Sequence, residues 1–185
     1  MTEIKNVYWN QFVFESISSL PFYMAVTEKG ICRITWPHET FESLENWAAA
    51  KLPGTILEWN DRETAPYIQQ LMEYESGERR IFDFSVDLHG TAFQKSVWMA
   101  LLNIPYGETA TYAQIAASAG NKKAVRAAGT ANGANPVPIA VPCHRVIGSN
   151  KTLTGFRGGL EMKERLLRLE DYHDFSKKGH ARFHF

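Results

Sequence analysis

Cys143, His144 and Arg145 stand side by side in PIAVPCHRVIG, residues 138–148, behind Pro138 and Pro142. A thiolate is a strong nucleophile, and a neighbouring His or Arg favours thiolate over thiol. The trio therefore holds the minimum equipment for an activated thiolate nucleophile. The two prolines fix φ and remove N–H donors, which predicts a rigid, non-helical loop that presents a side chain. In an extended segment successive side chains point to opposite faces, so His144 need not touch the sulfur and a water would link them. The competing reading is a buried, inert thiol, because free Cys packs as a small hydrophobe. The second cysteine, Cys32, lies in the β-rich ICRIT and reads as structural. Two cysteines cannot supply the four thiolates of a zinc ribbon and form one disulfide at most, which suits a reducing, cytoplasmic setting.

The elements that must position this loop come from a chain of 185 residues, 44% hydrophobic, with zero formal net charge. That length buries one core or two small ones. The N-terminal MTEIKNVYWN lacks a signal-peptide pattern, and no apolar run reaches membrane-span length. The neutral total conceals segregation. Residues 1–88 carry 7 Lys and Arg against 14 Asp and Glu, whereas residues 89–160 carry 7 against Glu108 alone. A segregated basic block is the footprint of a polyanionic partner.

VYWNQFVFESI and FYMAVTEKGICRITW read as strands, the second run folded at TEKG. FESLENWAAAKL and ETAPYIQQLMEYESG read as helices, with Pro66 tolerable only near the start of the latter, and IFDFSVDL alternates as a strand. This is a small α/β domain over residues 1–88. Residues 89–175 change texture to short helices and Gly/Pro-rich links. TAFQKSVWMALLNI is an amphipathic helix with Thr91 as N-cap. TYAQIAASAG and NKKAVRAAGTANGAN form two short Ala-rich helices around Gly120 and Asn121, the outline of a helix-turn-helix, with Lys122, Lys123 and Arg126 at the start of the second. GLEMKERLLRLE is a helix with Met162, Leu166 and Leu169 expected inward, and residues 176–185 read as a flexible tail. The fold class is thus α+β.

PCHRV, residues 142–146, closely resembles the active-site signature of the O6-alkylguanine-DNA alkyltransferases, also called methylated-DNA–protein-cysteine methyltransferases. The resemblance runs colinearly over residues 90–172, through TAFQKSVWMALLNIPYGETATYAQIA, RAAGTANGANPVPIAVPCHRVIG and GFRGGLEMKERLLRLE. It implies a ribonuclease-H-like N-terminal domain and a helical second domain carrying a helix-turn-helix and the cysteine loop. It implies single-turnover repair, in which Cys143 accepts the alkyl group of O6-alkylguanine irreversibly, with O4-alkylthymine a second candidate substrate. His144 relays the thiol proton through water, Glu170 orients it, and Tyr112 assists the leaving guanine. Arg126 is the finger that replaces the extruded nucleotide, and Thr111, Lys122, Lys123, Ala127, Ala128 and Arg145 are expected at the DNA. Asn135 is the hinge of the cysteine loop, and Val146, Phe156, Arg157 and Gly158 border the substrate pocket.

The implied partner is double-stranded DNA bound from the minor groove with little sequence preference, by a monomer, without cofactor or metal. Position 157 is Arg, as in bacterial-type members, whereas others have a small polar residue, so the pocket wall for larger adducts stays open. Two rival classes differ at identifiable points. A non-catalytic lesion sensor or transcription regulator has no use for a cysteine at position 143. A Cys–His hydrolase would turn over repeatedly, and an adjacent Cys-His pair offers it poor geometry.

Overall fold

β1 (Asn6–Phe12), β2 (Phe22–Thr27) and β3 (Gly30–Ile34) form an antiparallel meander in a computed structural model that describes residues 6–177. They belong to the first of two units, Met1–His89 and Gly90–Phe185, one residue beyond the expected boundary at 88. A fourth strand, β4 (Ile56–Trp59), pairs parallel with β1 to give the order β3-β2-β1-β4. Successive side chains on β1 face opposite ways, which gives each face of the sheet its own helix. Val7 joins Ala25, Cys32 and Leu44 under α1 (Phe41–Lys51). Asn10 instead donates to Thr64 and Asp61 of α2 (Asp61–Glu75), and Phe14 packs on Tyr74 of that helix.

Two expectations fail in this unit. IFDFSVDL is not a strand, because only a single bridge, Ile31 to Val86, reaches the sheet. Its alternation is used differently: Phe82 and Phe84 pack on Tyr74 and Tyr67 of α2, which draws the segment along the helix. Pro66 is not near the helix start, since Asn60 caps α2 and leaves Pro66 as its sixth residue. Pro66 is exposed, so the carbonyl deprived of its N–H partner can be solvated.

The second unit begins with α3 (Ala92–Leu102), closed at its start by a full capping box between Thr91 and Gln94. β5 (Ala110–Thr111) runs into α4 (Tyr112–Ser118), where Thr111 and Gln114 repeat the device. α5 (Val125–Gly133) follows, and Trp98 of α3 ties the pair together by donating its indole N–H to Ala131 O at 2.8 Å. β6 (Val146–Ile147) pairs parallel with β5, and α6 (Leu160–Leu169) closes the unit.

Lys122 and Lys123 precede α5 rather than opening it, because the Asn121 side chain holds them in a turn ahead of the cap at Ala124. The inward face of α6 is Lys163, Leu166 and Leu167, continued by Glu170, not the expected Met162, Leu166 and Leu169. The expected tail is ordered at its start, where Ser176 exchanges backbone hydrogen bonds with Lys151 and Leu153. Residues 178–185 of that tail lie outside the described residues. No helix among the described residues is long and apolar enough to cross a membrane.

Candidate active site and nucleic-acid interface

The cysteine loop is built from its hinge upward. Asn135 is buried, accepts from Val137 N at 3.0 Å and donates to Val141 O at 2.8 Å, so one side chain spans the loop's base. Ile139 between them has φ 74°, a left-handed conformation that a β-branched residue adopts only under strain of about 1–3 kcal/mol. The loop then enters a single 3-10 turn, Cys143–Arg145, not an extended stretch. At three residues per turn its side chains fan out about 120° apart. Cys143 and the adjacent pair are thereby sent to different partners.

Glu170, the C-cap of α6, receives that pair. The His144 ring nitrogen Nε2 lies 2.7 Å from Glu170 Oε1. Arg145 grips the same carboxylate with two bonds, Nε to Oε2 at 2.8 Å and Nη2 to Oε1 at 2.9 Å, and its Nη1 donates to Ile104 O at 2.6 Å. Gly107 N–H adds a further donor to Oε2 at 3.2 Å. Gly107 has φ 76°, and a Cβ there would lie 3.1 Å from Glu170 O, so glycine lets the loop approach. Burial opposes the Glu170 charge, but His144 and Arg145 outweigh it and hold the carboxyl well below the usual carboxylate range.

A carboxylate only accepts, so His144 donates from Nε2 and its Nδ1 carries the lone pair. Nδ1 is buried and has no hydrogen-bond partner among the described residues. Burial pulls the imidazole below its ordinary pKa, with Glu170 opposing. His144 is thus a neutral, oriented base with one free nitrogen.

Cys143 is 2% exposed. Burial pushes its thiol up to about 11, against Asn135 and Lys163, which favour the thiolate. Tyr112, the first residue of α4, accepts from Thr154 Oγ1 at 3.3 Å; burial raises its pKa, so its phenol keeps its proton. Phe156 and Val146 are buried, Gly158 is half-buried and Arg157 is exposed. Among the residues named from sequence, Cys143, His144, Glu170, Asn135, Val146 and Phe156 are buried in this unit, and Tyr112 is half-buried.

Lys122, Lys123, Arg126 and Ala127 are exposed on and just before α5, and Thr111 is half-buried at the cap of α4. Two expected DNA contacts are corrected. Arg145 is buried with its guanidinium committed to Glu170 and Ile104, and Ala128 is fully buried on the inner side of α5. Sequence reasoning missed Asn132, which is buried and donates to Cys143 O at 3.4 Å. It also missed Lys163, although 163 precedes Glu170 by two helical turns and so shares its face. A cleft of about 1110 Å³ in the first unit, lined by Tyr8, Thr27, Tyr67 and Asp87 among others, includes none of these residues.

Residues 92–172 match the family described as 6-O-methylguanine DNA methyltransferase, DNA binding domain. The inducible methylated-DNA–protein-cysteine methyltransferase of Bacillus subtilis is 44% identical over 91% of this chain and 93% of its own. The corresponding protein of Methanosarcina mazei is 46% identical over 82% and 90%. Among solved structures, Mycobacterium tuberculosis O6-methylguanine methyltransferase superposes with a TM-score of 0.73 at 38% identity, covering 89% of this chain and 92% of that one. The M. tuberculosis OGT solved in complex with DNA gives 0.71 at 36% with the same coverage. The fold and the buried cysteine site are those of a DNA alkyl-transfer protein. The chain belongs to the methylated-DNA–protein-cysteine methyltransferase family.

Proposed function

We propose that the protein repairs DNA by moving the alkyl group of O6-alkylguanine onto Cys143. The Cys143 proton passes to the free Nδ1 of His144, directly or through water. The thiolate attacks the alkyl carbon, the carbon–O6 bond breaks, and its electron pair leaves with guanine. Tyr112 supplies a proton to that base, which avoids expelling an anion. The product thioether is not hydrolysed, so each chain acts once. The single observation that carries this reading is the orientation of His144: one nitrogen fixed on Glu170, the other buried and unpartnered, one residue from the thiol. After incubation with O6-methylguanine DNA, mass spectrometry is expected to find one added methylene mass per chain, on the peptide holding Cys143. A modified Cys32 peptide, or none, would overturn the assignment.

α4 and α5 are proposed to act as a helix-turn-helix that enters the minor groove of duplex DNA, with Ala127 allowing close approach and Lys122 and Lys123 at phosphates. The first unit is read as the ribonuclease-H-like domain, and the working form as a cytoplasmic monomer. O6 in a stacked, paired guanine cannot reach a buried thiol, so the nucleotide must be extruded. Arg126, which is exposed near the start of α5, is the residue proposed to fill the gap. Arg126→Ala is expected to slow repair of duplex DNA far more than reaction with free O6-benzylguanine, since extrusion costs a few kcal/mol, roughly. Equal losses on the two substrates in single-turnover assays would remove the finger role.

A further inference from the structure

Asn132, on the last turn of α5, is a buried polar side chain that the reaction scheme above does not use. It is 3% exposed. Its Nδ2 donates to Cys143 O at 3.4 Å, and its own backbone carbonyl accepts from Asn135 N at 3.3 Å. One residue therefore holds both ends of the cysteine loop, the hinge by its backbone and the nucleophile by its side chain. Its neighbour Ala131 accepts the Trp98 indole N–H at 2.8 Å, which ties this turn of α5 to α3. The amide can face only one way, because a carbonyl accepts and so must meet the NH2 group. That leaves Oδ1, which is buried and has no hydrogen-bond partner among the described residues. A buried acceptor without a donor costs about 1–3 kcal/mol. A leucine would fill the same space without that cost, so stability alone does not account for the amide.

What Nδ2 holds is a whole peptide plane. Cys143 O also accepts the Val146 N–H that closes the 3-10 turn, so both of its lone pairs are taken. The peptide unit is planar and carries the Cα atoms of Cys143 and His144 at its two ends. Two donors on that one carbonyl fix the plane, and the thiol and the imidazole hang from its ends. The imidazole is anchored a second time, by Nε2 at 2.7 Å from Glu170 Oε1. The place of the sulfur relative to Nδ1 is then set through the plane.

We propose that Asn132 is a positioning residue for alkyl transfer: by pinning the peptide plane between Cys143 and His144, it sets the gap that the thiol proton crosses to reach Nδ1. Its task differs from that of the hinge Asn135, whose side chain stays within the loop on Val137 and Val141. Positioning of this kind acts on rate, and a misplacement of about 1 Å costs on the order of 100-fold. Asn132 is buried, apart from the exposed residues of α5 that are proposed to meet the duplex. Its loss leaves those residues in place.

This rests on Cys143 as acceptor, and the test separates the two claims. Asn132→Leu replaces the amide by an apolar group of similar shape. Asn132→Asp keeps the shape but offers only acceptors until its carboxyl is protonated. Both are followed from pH 5 to 8 by single-turnover reaction with free O6-benzylguanine, with Tm and duplex affinity measured alongside. Asn132→Leu is expected to react at least about tenfold more slowly than wild type, with Tm unchanged or raised and duplex affinity unchanged. Asn132→Asp should be the slower of the two variants at pH 8, where a carboxylate faces the Cys143 carbonyl. Burial raises a carboxyl pKa, so in acid the group regains an O–H to donate, and at pH 5 the Asp variant should overtake the Leu variant. A wild-type rate per folded molecule in Asn132→Leu, or two profiles that do not cross, would overturn the proposal. A wild-type protein whose Cys143 is alkylated by iodoacetamide but takes no benzyl group would instead overturn the transfer reading. Should the variants not fold, NMR of wild type labelled with 15N-asparagine decides the matter. S-methylation of Cys143 is expected to move the Asn132 side-chain amide signal and to leave that of Asn10, on β1, in place; an Asn132 signal that stays put would refute the clamp.

Discussion

Cys143→Ala abolishes alkyl transfer and leaves duplex binding nearly intact. The new bond is made by a sulfur that is 2% exposed, at the start of the 3-10 turn. Lys122, Lys123, Arg126 and Ala127, which are proposed to meet DNA, are exposed on and just before α5. Removing one sulfur atom leaves a small cavity that costs about 1 kcal/mol, too little to unfold the unit. A stoichiometric transfer assay with gel-shift binding on the same preparation measures both. Residual transfer by a folded variant would mean that another group accepts the alkyl. Cys32→Ala provides the contrast. Cys32 is fully buried on β3, its thiol donates to Ala25 O of β2 at 3.3 Å, and burial pushes its pKa far above the ordinary thiol value. That sulfur is inert, and its variant should retain full stoichiometry.

Glu170→Ala is expected to damage stability as well as rate. The carboxylate is the common acceptor of His144, Arg145 and the Gly107 N–H, and its removal strands a buried guanidinium. Breaking one partner out of a buried pair costs about 3–5 kcal/mol. At about 4–8 °C per kcal/mol for a unit of this size, the melting temperature should fall by roughly 15 °C or more. The pH dependence has a definite sign. Glu170 is depressed in the folded protein, so its contribution is complete above the unfolded carboxyl value of about 4.3 and is lost as the pH falls through the folded one. Wild type therefore weakens below about pH 4 through this group, and Glu170→Ala lacks that part of the acid sensitivity. Denaturant unfolding of both proteins at pH 7 and at steps below pH 4 measures the difference. A stability gap that does not narrow in acid would show that the clamp is not ionic.

The parts of the fold legible in sequence are those fixed locally. Thr91 with Gln94 and Thr111 ahead of Gln114 announce helix starts, and α3 and α4 begin where those boxes place them. Pro138, Pro142 and Asn135 mark the cysteine loop for similar reasons. The rest depends on partners distant in the chain. β4 has only four residues between Gly54 and Asn60 and becomes a strand by pairing with β1, some fifty positions earlier. The face of α6 was misplaced because apolar periodicity weighs Met162 and Leu169 over charged neighbours. Lys163 and Glu170 face inward since the interior supplies an aromatic box for one and a guanidinium for the other. Arg145 reads as a surface cation for the same reason: nothing near it in sequence reveals the carboxylate twenty-five residues on. The nucleophile was therefore readable, and the buried electrostatics around it was not.

Glu170 caps the final helix of the second unit, and this placement has a bearing on biosynthesis. Chains leave the ribosome from the N-terminus at about 5–20 residues per second. A nascent chain that has exposed Cys143 still lacks the carboxylate that orients His144. Reactivity thus waits for the last turn of α6. A protein that acts only once is thereby kept from spending its sulfur on stray electrophiles before its last helix has been made.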